Sequence, residues 1–133
     1  MISLTRAVAV SFALLLLAGC AYGPTPEQLQ AANYGTEPDQ EFVEQEAKDM
    51  FEGYLKDPES ARYQFAPVYR GWIFTDRFEG SKLYTGYVLD VNVNAKNSYG
   101  GYTGYSLYRL VFQNGRIIRA VSVSPQGMLR TIR

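Results

Sequence analysis

Histidine is absent from the 133 residues. That absence removes the commonest general base, the commonest metal ligand and the usual pH switch together. Cysteine occurs once, at Cys20, so no disulfide closes within the chain. Many small exported domains lean on disulfides, whereas this one folds on hydrophobic burial and sheet pairing alone. Long apolar runs are also missing. The longest is Ala7 to Leu17, broken only by Ser11, and it falls short of the ~20 residues a spanning helix needs. No Walker spacing and no metal-ligand cluster occurs, and no cofactor is expected.

What is present begins with a targeting segment. Arg6 supplies a weak positive region ahead of that apolar run, and Leu17-Ala18-Gly19-Cys20 ends it. This resembles the lipobox of bacterial lipoproteins, in which the cysteine thiol is diacylated and the signal is cut before it. The resemblance implies cleavage of residues 1–19 and membrane attachment through lipidated Cys20. Each buried methylene contributes about 0.8 kcal/mol, and two lipid signals suffice for stable anchoring. In Gram-negative lipoproteins an aspartate after the cysteine favours inner-membrane retention. Ala21 stands there, which implies the outer membrane, facing the periplasm.

The formal charge is zero, but its two signs are segregated. Between residues 21 and 60 lie Glu27, Glu37, Asp39, Glu41, Glu44, Glu46, Asp49, Glu52, Asp57 and Glu59, against Lys48 and Lys56. From Arg62 onward Arg62, Arg70, Arg77, Lys82, Lys96, Arg109, Arg116, Arg119, Arg130 and Arg133 face Asp76, Glu79 and Asp90. Two readings follow: an acidic helix lying near a basic sheet, or a basic sheet face for an anionic envelope partner. Nucleic acid is not expected as a partner of an exported chain.

Hydrophobic periodicity supplies the elements. Thr25-Pro26-Glu27-Gln28 has the residues of a capping box with proline at the first helical position, and this short helix is expected to stop near Asn33-Tyr34-Gly35. A second start is expected at Thr36-Glu37-Pro38-Asp39. Phe42, Val43, Ala47, Met50, Phe51, Tyr54 and Leu55 then recur at helical steps and make one apolar stripe. Asp57-Pro58 ends that helix, and Asp57 can cap a short turn through Ser60. From Arg62 the period becomes two, with Pro67 marking an edge or bulge. Leu83, Tyr87, Leu89, Val91 and Val93 line one face of a long strand. Asn114-Gly115 is a strong hairpin signal between about Tyr105–Gln113 and Arg116–Val123. It sets Phe112 opposite Ile117, Leu110 opposite Arg119 and Tyr108 opposite Val121. The other face then carries Leu107, Arg109, Val111, Ile118 and Ala120, half apolar, so it is either covered by something or a contact surface.

The expected fold is α+β: an amphipathic helix packed on an antiparallel sheet of about four strands, behind a signal peptide and tether. Its parts are a signal peptide (1–19), a lipidated tether with a short helix (20–35), the α+β domain (36–123) and a loosely held C-terminal extension (124–133).

Three stretches are similar to a family of small, uncharacterised bacterial envelope lipoproteins: Leu55-Lys56-Asp57-Pro58-Glu59-Ser60-Ala61-Arg62-Tyr63, Gly86-Tyr87-Val88, and Asn92 to Gly104. The similarity runs from about Gln30 to Phe112, and its most distinctive block is Asn94-Ala95-Lys96-Asn97-Ser98-Tyr99-Gly100-Gly101-Tyr102-Thr103-Gly104. It implies an envelope lipoprotein with a helix followed by a sheet, and it brings no catalytic residue. Some members carry a cysteine on the strand before this block, where this chain has Val91 and Val93. Read physically, the block is either a wide hairpin connection, whose glycines supply unusual backbone angles, or a recognition loop. In the second reading Tyr99, Tyr102 and Tyr105 offer stacking faces at low entropic cost and Lys96 adds charge.

Catalysis would have to rest on carboxylates, lysine, serine or tyrosine. Lys96 and Ser98 are close in sequence. Asp90 sits on a strand, where pairing with a strand arginine is the simpler account. No catalytic residue is assigned and no enzyme is expected. The leading expectation is a non-enzymatic module that binds an envelope protein or glycan through Lys96, Tyr99, Tyr102 and Tyr105. The alternatives are a self-associating structural lipoprotein using Leu107, Val111 and Ile118, or a hydrolase or transferase acting on cell-wall material.

Overall fold

A computed structural model describes residues 22–133. The signal peptide, Cys20 and the lipidation expected there lie outside the described residues. The fold is α+β, one main helix on an antiparallel sheet of six strands.

Helix α1 (Pro26–Ala31) opens with the expected reciprocal cap: the Gln28 N–H donates to Thr25 Oγ1, and the Thr25 N–H donates to Gln28 Oε1. It ends earlier than expected, at an extended Ala32. Gly35 does adopt positive φ, but in a bend held by Asn33, whose side chain accepts from the Gly35 N–H at 2.9 Å. Helix α2 (Gln40–Tyr54) is capped by Asp39, which accepts from the Glu41 N–H at 2.8 Å, so the helix begins after Pro38 and not at Thr36. Val43, Ala47, Met50 and Phe51 bury the predicted stripe, while Phe42 and Tyr54 flank it half-exposed. A 3₁₀ turn follows at Pro58–Ser60, without the expected Asp57 side-chain cap. The Asp57 carbonyl instead accepts from the Ser60 hydroxyl at 2.8 Å.

The strands are β1 (Arg62–Phe65), β2 (Tyr69–Phe74), β3 (Leu83–Asn94), β4 (Ser106–Gln113), β5 (Arg116–Val123) and β6 (Leu129–Thr131). Strands β1 and β2 both pair with the long β3, end to end along one edge. Phe65 lies opposite Val91 and Tyr69 opposite Val88, so the interruption holds one residue more than the partner strand does. Pro67 lies there and lacks an N–H for the ladder. Gln40, the first residue of α2, patches the gap: its side chain accepts from the Val68 N–H at 2.7 Å and donates to the Ala66 carbonyl at 3.1 Å. Beyond β3 the sheet is a meander, β3-β4-β5-β6.

Two expectations are corrected here. The hairpin register begins as read, with Phe112 opposite Ile117, then slips by one between Val111 and Phe112. Leu110 therefore faces Ala120, and Arg109 faces Val121. Ala120 joins the helix-side core with Leu89, Val91, Val93, Leu110 and Phe112, while Val121 joins the opposite face with Val88 and Val111. One extra residue on β5 reverses which face its later side chains occupy, because the strand period is two. Second, residues 124–133 are not a loose extension. Strand β6 pairs with β5, the Ile132 N–H donates to Ala120 O at 2.9 Å, and Ile132 packs against the helix-side core. With β1 and β2 separated by Pro67, this raises the expected four strands to six.

The sheet is also rolled. Thr131 sits level with Val121, Arg109 and Asp90 across the strands. In a flat sheet the β2–β3 turn would lie roughly 25 Å further along, at ~3.3 Å per residue. Yet Thr131 Oγ1 donates to Glu79 Oε1 at 2.7 Å, and Arg119 is ion-paired with the same carboxylate. The β2–β3 hairpin therefore folds back as an arm over the face opposite α2. Gly71 and Gly86, paired directly across the two strands, lie between the tip and the main sheet. A Cβ on Gly86 would stand 2.1 Å from the Phe112 carbonyl oxygen, so the close approach of β4 there admits only glycine.

Candidate functional site

The arm answers what covers the half-apolar outer face. Ile73 on β2 packs with Val88, Val111 and Val121, and Tyr84, Ile118 and Val123 border them. Arg119 is the clasp. Its guanidinium lies 5.0 Å from the Tyr84 ring, pairs with Glu79, and bonds the Thr131 hydroxyl. Burial lowers its pKa, and its Nε is enclosed without a partner, so Glu79 and Thr131 carry most of its compensation.

Coverage is incomplete. Between the arm and the β4–β6 surface lies an open groove of ≈ 1110 Å³. Ile73, Phe74, Leu107, Val121, Val123 and Leu129 give it an apolar lining. Asn92, Ser106, Ser122 and the Arg119–Glu79 pair are polar points along it, and Tyr22 and Tyr105 stand at its walls. The volume lies just above the ~300–1,000 Å³ of ligand clefts, and Thr75, Asp76, Arg130 and Thr131 add further polar groups to the lining.

Asp90 and Arg109 face each other directly across β3 and β4 on this same side. Arg109 Nε donates to Asp90 Oδ1 at 2.7 Å and Nη2 to Oδ2 at 2.9 Å, and the Tyr69 hydroxyl approaches Oδ2 at 3.4 Å. This two-pronged pair is the arginine partner expected for Asp90. The hydrogen bond to Asp90 raises the Arg109 pKa. No ion pair links α2 to the sheet among the described residues, so the segregated charges do not meet in direct contacts.

The four residues expected to form a recognition loop are divided. The Lys96 and Tyr102 backbones form a bridge across the loop, and the Lys96 N–H donates to Ser60 Oγ at 2.9 Å. The Tyr102 hydroxyl donates to the Ser60 carbonyl at 2.9 Å, and its ring lies 4.5 Å from the Arg62 guanidinium and 5.6 Å from the Lys96 ammonium. Both residues thus fasten the loop to the 3₁₀ turn. Asn97 ties the tip, its side chain accepting from the Tyr99 and Gly101 N–H groups. Tyr99 stands alone at that tip, 97% exposed. Tyr105 belongs to the groove instead. Lys96 and Ser98 do not pair; the Ser98 hydroxyl accepts from Lys56 Nζ at 3.1 Å. Among the described residues no group of acids could hold a metal ion.

The outer-face groove was hidden from the sequence by the arm. Leu107 and Val111 were readable as outward-facing, but nothing local placed Glu79 beside Arg119. The paired glycines Gly71 and Gly86 in otherwise apolar strands were the available signal. No protein family matches the chain, and no curated protein or solved structure is detectably similar to it.

Proposed function

We propose that this chain is an outer-membrane lipoprotein, anchored through Cys20 and facing the periplasm, that works as a non-enzymatic binding module. Its binding surface is the groove between the β2–β3 arm and strands β4 to β6, with Tyr105 at the wall. The observation that carries this reading is the groove itself: Phe74, Leu107, Val123 and Leu129 remain partly exposed along it, while the other sheet face is covered by α2. The preferred occupant is a segment of an envelope protein bearing apolar side chains, since Phe74, Leu107, Val123 and Leu129 form the partly exposed apolar part of the lining.

Charge arrangement supports binding over catalysis. The ion-paired groups on this face are spent on each other, Glu79 with Arg119 and Asp90 with Arg109, which leaves Asp76 as the groove acid outside an ion pair among the described residues, its Oδ1 taken by the Glu79 N–H. A general acid or base needs a proton-accepting atom free to face substrate.

Photo-crosslinking in cells tests the proposal, with a crosslinkable residue at Tyr105 and, separately, at Tyr99, the anchor intact. A discrete protein adduct at Tyr105 but not at Tyr99 supports the groove. An adduct at Tyr99 alone returns the function to the tyrosine loop. An adduct between two copies converts the reading to self-association. No adduct at Tyr105 in folded protein refutes a protein partner in the groove.

A further inference from the structure

Phe78 is 100% exposed at the tip of the arm. A phenylalanine fully in water forgoes the burial that makes its ring useful in a fold. Its neighbours in the turn include Arg77 and Lys82, both exposed. Of the two acids nearby, Glu79 is turned back onto Arg119 and Thr131, and Asp76 accepts from the Glu79 N–H at 2.9 Å. The tip therefore presents an aromatic ring with two exposed cations, Arg77 and Lys82, and one exposed carboxylate, Asp76.

The start of the described chain sits at the neck of this turn. The Tyr22 hydroxyl donates to the Thr75 carbonyl at 2.7 Å and lies 3.5 Å from Ser81 Oγ. The Tyr22 ring meets Phe74 edge to face at 5.4 Å, with the Arg77 guanidinium 5.8 Å away. Cys20 is two residues earlier. Consecutive Cα atoms are about 3.8 Å apart, so Cys20 lies within about 8 Å of Tyr22 by any path. A lipid carried on Cys20 is therefore tethered by two residues to the Tyr22 contact on the arm.

We infer that the arm tip, Phe78 with Arg77 and Lys82, is a second membrane contact that inserts into the leaflet holding the Cys20 lipids. The inference rests on the lipid anchor proposed above. The ring seats at the headgroup boundary, and the cations meet anionic headgroups.

Depth-dependent fluorescence tests this on the lipidated mature protein in vesicles of phosphatidylethanolamine and phosphatidylglycerol. Trp72→Phe removes the native reporter; Phe78→Trp then reports on the tip and, in a separate variant, Tyr99→Trp on the tyrosine loop. Both reporter positions are almost fully exposed, so neither change disturbs packing. Lipids brominated on their acyl chains should quench the tip reporter several-fold more than the loop reporter, with emission from the tip shifted to the blue. Equal, water-like emission from both, on protein that floats with vesicles and carries lipid on Cys20 by mass spectrometry, overturns the insertion and leaves the anchor standing. Absence of lipid on Cys20 together with failure to float overturns both.

Discussion

Replacing Glu79 by alanine should loosen the arm without touching the helix-side core. The Glu79 carboxylate takes the Arg119 guanidinium on one oxygen and the Thr131 hydroxyl on the other. A hydrogen bond to a charged group is worth about 1.5–3 kcal/mol, and an unpaired buried group adds its desolvation cost. Glu79 is about a third exposed, so water replaces part of what is lost, while Arg119 is mostly enclosed with its Nε already unpartnered. The net expectation is ~1–2 kcal/mol. With an m-value of ~1–3 kcal/mol/M, the urea midpoint falls by roughly 0.3–2 M. Glu79→Gln keeps an acceptor for Arg119 and should lose less. The diagnostic readout is hydrogen exchange: amides of residues 71–86 should exchange faster in Glu79→Ala, while those of Leu89, Val91 and Leu110 change only with global stability. Uniform exchange with an unchanged midpoint would refute the clasp.

Phe51→Ala should cost about 3–5 kcal/mol in chemical unfolding, because the ring is fully buried among Tyr54, Tyr63 and Tyr108. Gly86→Ala places a methyl 2.1 Å from the Phe112 carbonyl oxygen and must part β3 from β4, for a loss of roughly 1–3 kcal/mol or more by the same assay. Gly53→Ala, on the solvent side of α2 with open space around it, should instead stabilise by about 0.4–1 kcal/mol. In alkali, burial raises the pKa of Tyr63, Tyr69 and Tyr108 above 10.0, so the folded chain holds these protons longer than the unfolded chain. That contribution is intact below pH 10 and declines as pH rises through the folded values. Absorbance titration at the phenolate band should show a late-titrating fraction that merges with the rest once urea unfolds the chain.

Local patterns determined much of this protein. The Thr25–Gln28 capping box, the α2 stripe, the Asn114-Gly115 turn and the Pro67 interruption all depend on near neighbours. Each could be read because its physics is complete within a few residues. What lay beyond the sequence was long-range. The register slip after Phe112 moved Ala120 inward and Val121 outward, a choice made by packing against α2 on one side and Ile73 on the other. Strand β6 exists because the β5 edge and the core seat for Ile132 were waiting for it, not because Leu129–Thr131 is strongly strand-forming. The tyrosine cluster read as one site was divided because the Ser60 backbone claims Tyr102 while the groove claims Tyr105. The arm itself requires Glu79 to meet Arg119 and Thr131 across 40 and 52 residues of chain. Separation along the sequence carries no distance information once a sheet rolls, so only the tertiary structure decided where the groove would be.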